Sequence, residues 1–429
     1  LDRSSAASDV YKRQQEDRRT PHEFQKEAWS ALTTRLAEAE ATKQFRGVLE
    51  MPTGAGKTYT AVHWLLSRVV NSGRKVLWVA HRQELLNQAF RTFTSLLRHL
   101  DRREKVRIRV VSGAHSCTTQ VDPTDDIIIA SIASLARRPD ITKQLLEGSD
   151  RFVVIDEAHH AASTSYRNLL TIVEKQVPSG YLGLTATFTR TVASERPVLA
   201  RLFGEKPLFS ISQRELIDQN ILSRPRLENV STHVNAEEGM DESDYRHVSR
   251  FQELSEKQQE RLANMTPRNK AVVSQYVGNR EKYAKTLIFA INVEHAALLT
   301  SLLREAIPES ERDRVQYVAS HHPDEATITT SEVFARFREP FGVPGGVDVL
   351  VNVQMATEGV DFPNVQTVFL VRPTNSEILL RQMVGRALRG TAAGGTADAY
   401  IVNFTDDWTH LRGFDTPLEA LVDTPPPPA

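Results

Sequence analysis

The sequence predicts an α/β protein of two units, each a parallel β-sheet flanked by helices, and three observations predict it. The chain has 429 residues, more than one ordinary core supports and suited to two domains of about 150–200 residues. Short β-branched apolar runs alternate with segments of helical period, the pattern of parallel strands joined by crossover helices. The alternation stops between Ser212 and Lys282 and then resumes.

In the first unit the strand-like runs are Gly47–Met51, Val76–Ala80, Ile127–Ala130, Phe152–Ile155 and Tyr181–Leu184, with helical periods over Thr58–Val70 and Arg82–Leu97. The interruption from Ser212 to Lys282 is charged and mostly helical in period, and Glu253–Arg261 is almost wholly polar, which suits an exposed linker or small insertion. Strands return at Thr286–Ala290, Val315–Ala319, Asp348–Val353, Thr367–Val371 and Ala399–Asn403. The expected organisation is therefore a first domain over 15–211, a helical linker over 212–282 and a second domain over 283–412. Leu1–Gln14 is small, polar and without periodicity and reads as a non-native linker. Residues 413–429 read as a proline-rich tail, perforce neither helix nor strand at Thr424–Ala429, with a further domain expected beyond it. No short-period repeat is visible.

Composition narrows the class. Hydrophobic residues are 40% and charged residues 25% of the chain, the balance of a folded globular protein. Lys plus Arg number 53 against 54 Asp plus Glu, so the molecule is no polycation and any affinity for nucleic acid must be local. The single cysteine, Cys117, can form no internal disulfide and lacks the partners of a zinc site. No apolar run reaches the ~18–20 residues of a membrane span, and the charged N-terminus lacks the apolar region of a signal peptide. A cytoplasmic setting is expected.

Two motifs carry chemistry. Met51-Pro-Thr-Gly-Ala-Gly-Lys-Thr58 follows a predicted strand and opens a predicted helix, the context of a phosphate-binding loop. Thr53, Gly54, Ala55 and Gly56 would turn backbone N–H groups toward phosphates, Lys57 would add charge, and Thr58 could bind the metal. Met51 stands where the strict pattern has glycine. Further on, Phe152-Val-Val-Ile-Asp156-Glu157-Ala-His159-His160 ends an apolar strand on two carboxylates. Unpaired carboxylates at such an edge lose hydration unless a cation compensates. With Mg²⁺ present, Asp156 would hold the metal while Glu157 orients and deprotonates the attacking water. Adjacent histidines point in different directions around a turn, which argues against zinc and leaves His159 as a polar coupler between domains and His160 as surface.

A series of further segments stands in order: Val79-Ala-His-Arg-Gln-Glu-Leu85, Gly183-Leu-Thr-Ala-Thr187, Leu287-Ile-Phe-Ala290, Met355-Ala-Thr-Glu-Gly-Val-Asp361 and Gln382-Met-Val-Gly-Arg-Ala-Leu-Arg389. Together with the two motifs, this series resembles the superfamily 2 DEAD/DEAH-box helicases. The nearest branch is the one similar to excision-repair helicases and the motor subunits of type I restriction enzymes. The likeness covers roughly residues 20–410. An apolar residue at Met51 is ordinary in that family.

The resemblance implies two tandem RecA-like domains with an ATP cleft between them, using ATP and Mg²⁺. It implies an ATP-dependent DNA helicase or translocase, with an RNA helicase and an ATP-gated nucleic-acid clamp as alternatives. Gln25, preceded by Phe24, resembles the adenine-reading element, although Thr20-Pro-His-Glu around it departs from the pattern; an ordinary helix start with Phe24 packed inward is the alternative. Gly359 and Asp361 resemble residues at the ribose and the domain seam. Gln382 belongs to the catalytic series. Arg386 and Arg389, three apart and so on one face of a helix, could bring two guanidinium groups to the γ-phosphate. His81, Arg82, Thr185, Thr187 and Thr357 resemble residues that hold the strand's phosphates or couple to it. The basic run Arg98, Arg102, Arg103, Lys105, Arg107 and Arg109 extends that track or is a solvated surface. Nucleic acid is the expected partner, DNA before RNA, with a further subunit or domain beside it and no membrane.

Overall fold

The computed structural model describes residues 9–11, 20–42, 45–97, 100, 106–112, 122, 124–146, 151–176, 180–186, 188, 196–251, 253–319, 329–353, 362, 364–374, 377–385 and 387–414. The chain divides into two units, Leu1–Ser212 and Gln213–Ala429. Each is an α/β layer structure built on one sheet.

The first unit contains β1 (Asp9–Tyr11), β2 (Arg46–Glu50), β3 (Lys75–Ala80), β4 (Val106–Val111), β5 (Ile127–Ser131), β6 (Arg151–Asp156), β7 (Tyr181–Thr185) and β8 (Phe209–Ser210). Their order across the sheet is β1-β4-β5-β3-β6-β7-β2-β8. Every pair is parallel except β1 with β4. The antiparallel β1 comes from the opening segment read as a foreign linker, and it adds an edge to β4. Strand β6 is buried along its whole length, as a parallel strand covered on both faces must be. Val48, Leu77, Val79, Val153 and Ile155 meet Tyr166, Leu169 and Leu170 of helix Thr164–Gln176 in one core. Burying each such side chain contributes roughly 1.5–3 kcal/mol.

The second unit contains β9 (Arg224–Asn235), β10 (Thr286–Phe289), β11 (Val315–Val318), β12 (Val349–Asn352), β13 (Thr367–Leu370) and β14 (Asp398–Asp407). The order is β11-β12-β10-β13-β14-β9, parallel throughout. Helices Thr266–Gly278 and Val293–Ala306 supply Val272, Tyr276, Ala296, Leu299 and Leu303 to its core.

Four strands, β1, β4, β8 and β9, lie outside the sequence expectation. The segment Ser212–Lys282 contains helices, but it also holds β9, which completes the second sheet against β14. Its exposed and half-buried positions interleave charged residues such as Arg226 and Glu228 with apolar ones, so an edge strand looked like a polar helical linker. β4 was hidden likewise, because Arg107 and Arg109 interrupt its apolar pattern. Arg109 is buried against Asp125, so this part of the basic run is neither a track nor a solvated surface. No helix among the described residues is long and apolar enough to cross a membrane.

Candidate nucleotide site and its coupling residues

The parallel sheet of the first unit places four chemistry-bearing turns at the C-terminal ends of neighbouring strands, where open α/β sheets hold their ligands. The phosphate-loop segment leaves β2, the histidine-arginine pair leaves β3, the two carboxylates leave β6 and Thr185 ends β7. Across the sheet Asp156 is in register with Leu184, and Glu50 with Thr185. These turns therefore open on one edge.

The loop after β2 is anchored at its start. Met51 is fully buried, and its N–H donates to the Thr185 carbonyl at 3.0 Å. Ala55 N–H closes a turn on Pro52 O at 3.1 Å. Gly56 precedes helix Lys57–Trp64 with φ 79°, a left-handed conformation that glycine adopts without cost. A β-carbon there would also come 3.0 Å from Gln25 Nε2. Lys57 and Thr58 form the first turn of the helix and are buried with little exposure, where helix N–H groups and the helix dipole favour an anion.

Gln25 backs this loop. Its Nε2 donates to Ala55 O at 3.4 Å and its Oε1 accepts from His22 N at 3.0 Å. Phe24 is turned into the core. Trp29, on the same helix Glu23–Thr42, donates from Nε1 to Thr60 O at 2.8 Å. Trp29 thus braces the helix that carries Lys57, and nothing in the motif pattern marked it.

Opposite the loop, Asp156 is the last residue of β6 and is buried. Glu157 follows with φ 51° and ψ 59°, a left-handed backbone that costs a non-glycine residue about 1–2 kcal/mol. Its N–H donates to Asp156 Oδ1 at 3.1 Å. Gly183 of β7 permits the turn to lie close, since a β-carbon there would meet Ala158 Cβ at 2.8 Å and the Phe203 ring at 2.7 Å.

The turn aims Glu157 at two partners. Lys57 Nζ donates to Glu157 Oε1 at 3.2 Å. His159 Nδ1 lies 3.3 Å from Glu157 Oε2 and 3.2 Å from Thr185 Oγ1. A carboxylate only accepts, so Nδ1 carries the proton facing it. Burial alone would raise the Glu157 pKa, but Lys57 and His159 outweigh it and hold the carboxyl well below its ordinary range. His159 is itself buried, and its Nε2 has no hydrogen-bond partner among the described residues. His81, His159 and His160 form a ring cluster, with His81 4.3 Å and His159 4.2 Å from His160 between centroids. Among the described residues no group of three or more His, Cys, Asp or Glu side chains is arranged to hold a metal. The donor set of Thr58 hydroxyl and Asp156 carboxylate suits Mg²⁺, which takes few protein ligands and shares phosphate oxygens and water.

Arg82 lies in extended backbone just before helix Gln83–Leu96. In the second unit Gln382 lies in helix Glu377–Val384. The helix is described to Val384, and Arg389 lies beyond it. Ala387 N–H donates to Val384 O at 3.1 Å and Arg389 N–H to Ala387 O at 2.9 Å. The Arg389 carbonyl accepts from Ser223 Oγ at 2.6 Å and Thr396 N–H at 2.8 Å. Thr187, Thr357, Gly359, Asp361 and Arg386 lie outside the described residues, as do Arg98, Arg102, Arg103 and Lys105.

A glycine-rich loop between strand and helix, faced by a strand-end Asp–Glu pair and followed by a second parallel-sheet unit, defines a nucleotide-binding protein of RecA-like architecture. Residues 18–190 match the family model "Type III restriction enzyme, res subunit", and residues 268–391 match "Helicase conserved C-terminal domain". The chain belongs to the superfamily 2 helicases, on the branch related to restriction-enzyme motor subunits.

Among its relatives is the Saccharomyces cerevisiae protein named "Putative ATP-dependent helicase IRC3", 26% identical over 385 residues, covering 86% of this chain and 49% of that protein. The Escherichia coli type I restriction enzyme EcoAI endonuclease subunit is 24% identical over 420 residues, covering 91% of this chain and 47% of the subunit. The chain thus spans about half the length of these two relatives. The fold is shared with the ATP-dependent type ISP restriction-modification enzyme LlaBIII bound to DNA, at a TM-score of 0.60 and 16% identity over 95% of this chain and 29% of that one.

Proposed function

We propose that this chain is an ATP-driven motor that moves along or unwinds DNA, with Mg²⁺·ATP held by the first unit. The observation that carries the reading is the contact path Lys57–Glu157–His159–Thr185, which joins the phosphate loop, the hydrolytic carboxylate and the end of β7. Thr53, Gly54, Ala55 and Gly56 cradle phosphates, Lys57 neutralises them, Thr58 and Asp156 bind the metal, and Glu157 activates water. Gln25 reads the adenine edge beside the loop it already touches. Mg²⁺ held by Thr58 and Asp156 would supply polarisation of the terminal phosphate, and Lys57 leaves Glu157 for the nucleotide.

The second unit completes the site when it closes. Arg386 and Arg389 deliver charge to the γ-phosphate, Gln382 supports the attacking water, and Gly359 and Asp361 meet the ribose and the seam. His81, Arg82, Thr185, Thr187 and Thr357 grip the strand's phosphates, and His159 passes the nucleotide state to them. Alternation of open and closed states with different affinity for the strand produces stepping. DNA is favoured over RNA by the restriction-enzyme relatives. Relatives named as subunits of restriction enzymes support a further subunit beside the motor. A cytoplasmic setting accompanies this reading.

The test is ATP hydrolysis measured with single-stranded, duplex and forked DNA and with matched RNA, alongside strand displacement. Stimulation by DNA with displacement or translocation is the expected result. Stimulation by RNA alone overturns the DNA assignment, and hydrolysis without movement on any substrate makes the chain a clamp.

A further inference from the structure

Helix Glu23–Thr42 is tied to the phosphate loop and to helix Lys57–Trp64 by three polar rungs. Gln25 Nε2 donates to Ala55 O at 3.4 Å, Trp29 Nε1 to Thr60 O at 2.8 Å, and Trp64 Nε1 to Thr33 Oγ1 at 3.1 Å. Positions 25, 29 and 33 are each four apart, as are 60 and 64, and residues four apart lie one turn along the same helical face. The rungs therefore hold the two helices in one register. Two indoles donate in opposite directions and form a clasp, Trp29 toward the loop-bearing helix and Trp64 back from it. Thr60 and Trp64 are buried. The Trp29 ring also stacks on His63, with centroids 3.9 Å apart and planes at 14°, and Thr33 Oγ1 donates to Trp29 O at 2.7 Å.

The first rung is the side-chain amide of Gln25, and its orientation is fixed. Oε1 accepts from His22 N–H at 3.0 Å while Nε2 donates to Ala55 O, so oxygen and nitrogen cannot exchange places. A glutamine amide has two N–H donors and two acceptor lone pairs. Among the described residues these two bonds use one of each, which leaves one N–H and one lone pair. Adenine presents the N6 donor beside the N7 acceptor and matches that pair, whereas guanine presents two acceptors, O6 and N7, and sets one of them against the amide oxygen.

We propose that Trp29 is a positioning residue for nucleobase selection, because its rung fixes the offset between the Gln25 amide and the phosphate loop. The proposal rests on the adenine reading by Gln25 given above and adds the residue that makes that reading selective. The base is read from one helix and the phosphates are held by the loop and the start of the other, so only a ligand that spans both senses the offset. With the rung broken, helix Glu23–Thr42 can shift against the loop and the amide no longer meets the adenine edge in line. Phosphate contacts need no such register. Base discrimination, and not phosphate affinity, therefore depends on the Trp29 N–H.

The experiment is equilibrium titration of the full chain with ATP, GTP and inorganic tripolyphosphate, each with Mg²⁺. The wild type is expected to prefer ATP over GTP by about tenfold, the discrimination of one two-point amide–base pair. Gln25→Ala should remove that preference. Trp29→Phe keeps a ring on His63 and loses the N–H, and it should narrow the preference to below about threefold while tripolyphosphate affinity stays within about twofold of wild type. An equal loss for all three ligands makes the clasp a support of the fold, and an unchanged ATP-to-GTP ratio frees Gln25 from it. Either result overturns the proposal and leaves Gln25 as the base reader. No preference in the wild type, or one kept by Gln25→Ala, removes the adenine reading and the proposal with it. Should Trp29→Phe fail to fold, Thr33→Val at the half-buried far rung decides: a narrowed preference supports the clasp and an unchanged one overturns it.

Discussion

Lys57 Nζ donates to Glu157 Oε1 at 3.2 Å across the site, so the two groups that ATP would engage separately in the proposed mechanism are paired with each other. The pairing compensates two buried charges until phosphate displaces the carboxylate from the lysine. Glu157→Gln keeps the shape and removes the base. We expect nucleotide affinity to be retained or increased, because Lys57 is released, while the hydrolysis rate falls about 10²–10⁴-fold. Equilibrium nucleotide binding beside steady-state hydrolysis checks it, and normal turnover by this variant would show that Glu157 is not the base.

Lys57→Ala acts on the other half of the pair. It removes the cation that neutralises phosphate, so nucleotide affinity itself should drop, by about tenfold or more for one lost charge-assisted contact. It also strands the Glu157 carboxylate, whose depressed pKa depends on Lys57 and His159. Its pKa then rises, and the variant should lose some stability at neutral pH. Calorimetric titration with ATP, with a denaturation curve beside it, separates the effects; unchanged affinity would remove the loop's assigned role.

His159 touches both Glu157 and Thr185, and on the proposed roles of these two residues, as hydrolytic base and strand contact, a residue between them should affect coupling more than chemistry. For His159→Ala we expect hydrolysis within about tenfold of wild type and movement per ATP reduced by a larger factor. Strand displacement and phosphate release measured in the same reaction give the ratio. A proportional loss of both would make His159 a support for Glu157 only.

Much of this was legible in the sequence, for a physical reason. Buried parallel strands such as β6 must be continuously apolar, and their ends announce themselves when a run such as Phe152–Ile155 stops on Asp156 and Glu157. Strand β9 was illegible because an edge exposes half its side chains, so its arginines and glutamate carry no burial signal. Spacing alone cannot say whether Gly385 is spanned or breaks the helix that is described to Val384. The left-handed backbone of Glu157 and the clamp from Glu237 to His410, 173 residues apart, leave no local trace in the chain.

His295 makes the second unit sensitive to acid. Burial, and then the nearby Arg268 charge, push its pKa down to about 3, against an unfolded value of about 6.5. Below about pH 6.5 the unfolded chain therefore binds a proton that the folded chain refuses. Stability is complete above that value and is lost as pH falls toward 3, with about 2 kcal/mol gone at pH 5. Urea denaturation of the full chain at pH 7 and pH 5 reads this loss. In His295→Gln, which cannot take the proton, the difference between the two pH values should shrink by about that amount although the starting stability is lower. An unchanged difference would show that His295 is protonated inside the fold.

Ala284 offers a gain rather than a loss. It joins helix Arg280–Tyr283 to Lys285 and β10 with φ 46° and ψ −117°, a backbone region in which a β-carbon is strained and glycine is not. Its N–H still donates to Arg280 O at 2.8 Å, and the following Lys285 carbonyl accepts from Gln366 and Thr367 N–H at 3.0 and 3.1 Å, so the surrounding bonds impose the conformation. Ala284→Gly should relieve about 1–3 kcal/mol of strain and give back about 0.5–1 kcal/mol through the freer unfolded chain. The net expectation is a stabilisation of about 1 kcal/mol, seen as a higher denaturation midpoint at unchanged slope. A lower midpoint would mean that the alanine methyl contributes packing exceeding the strain.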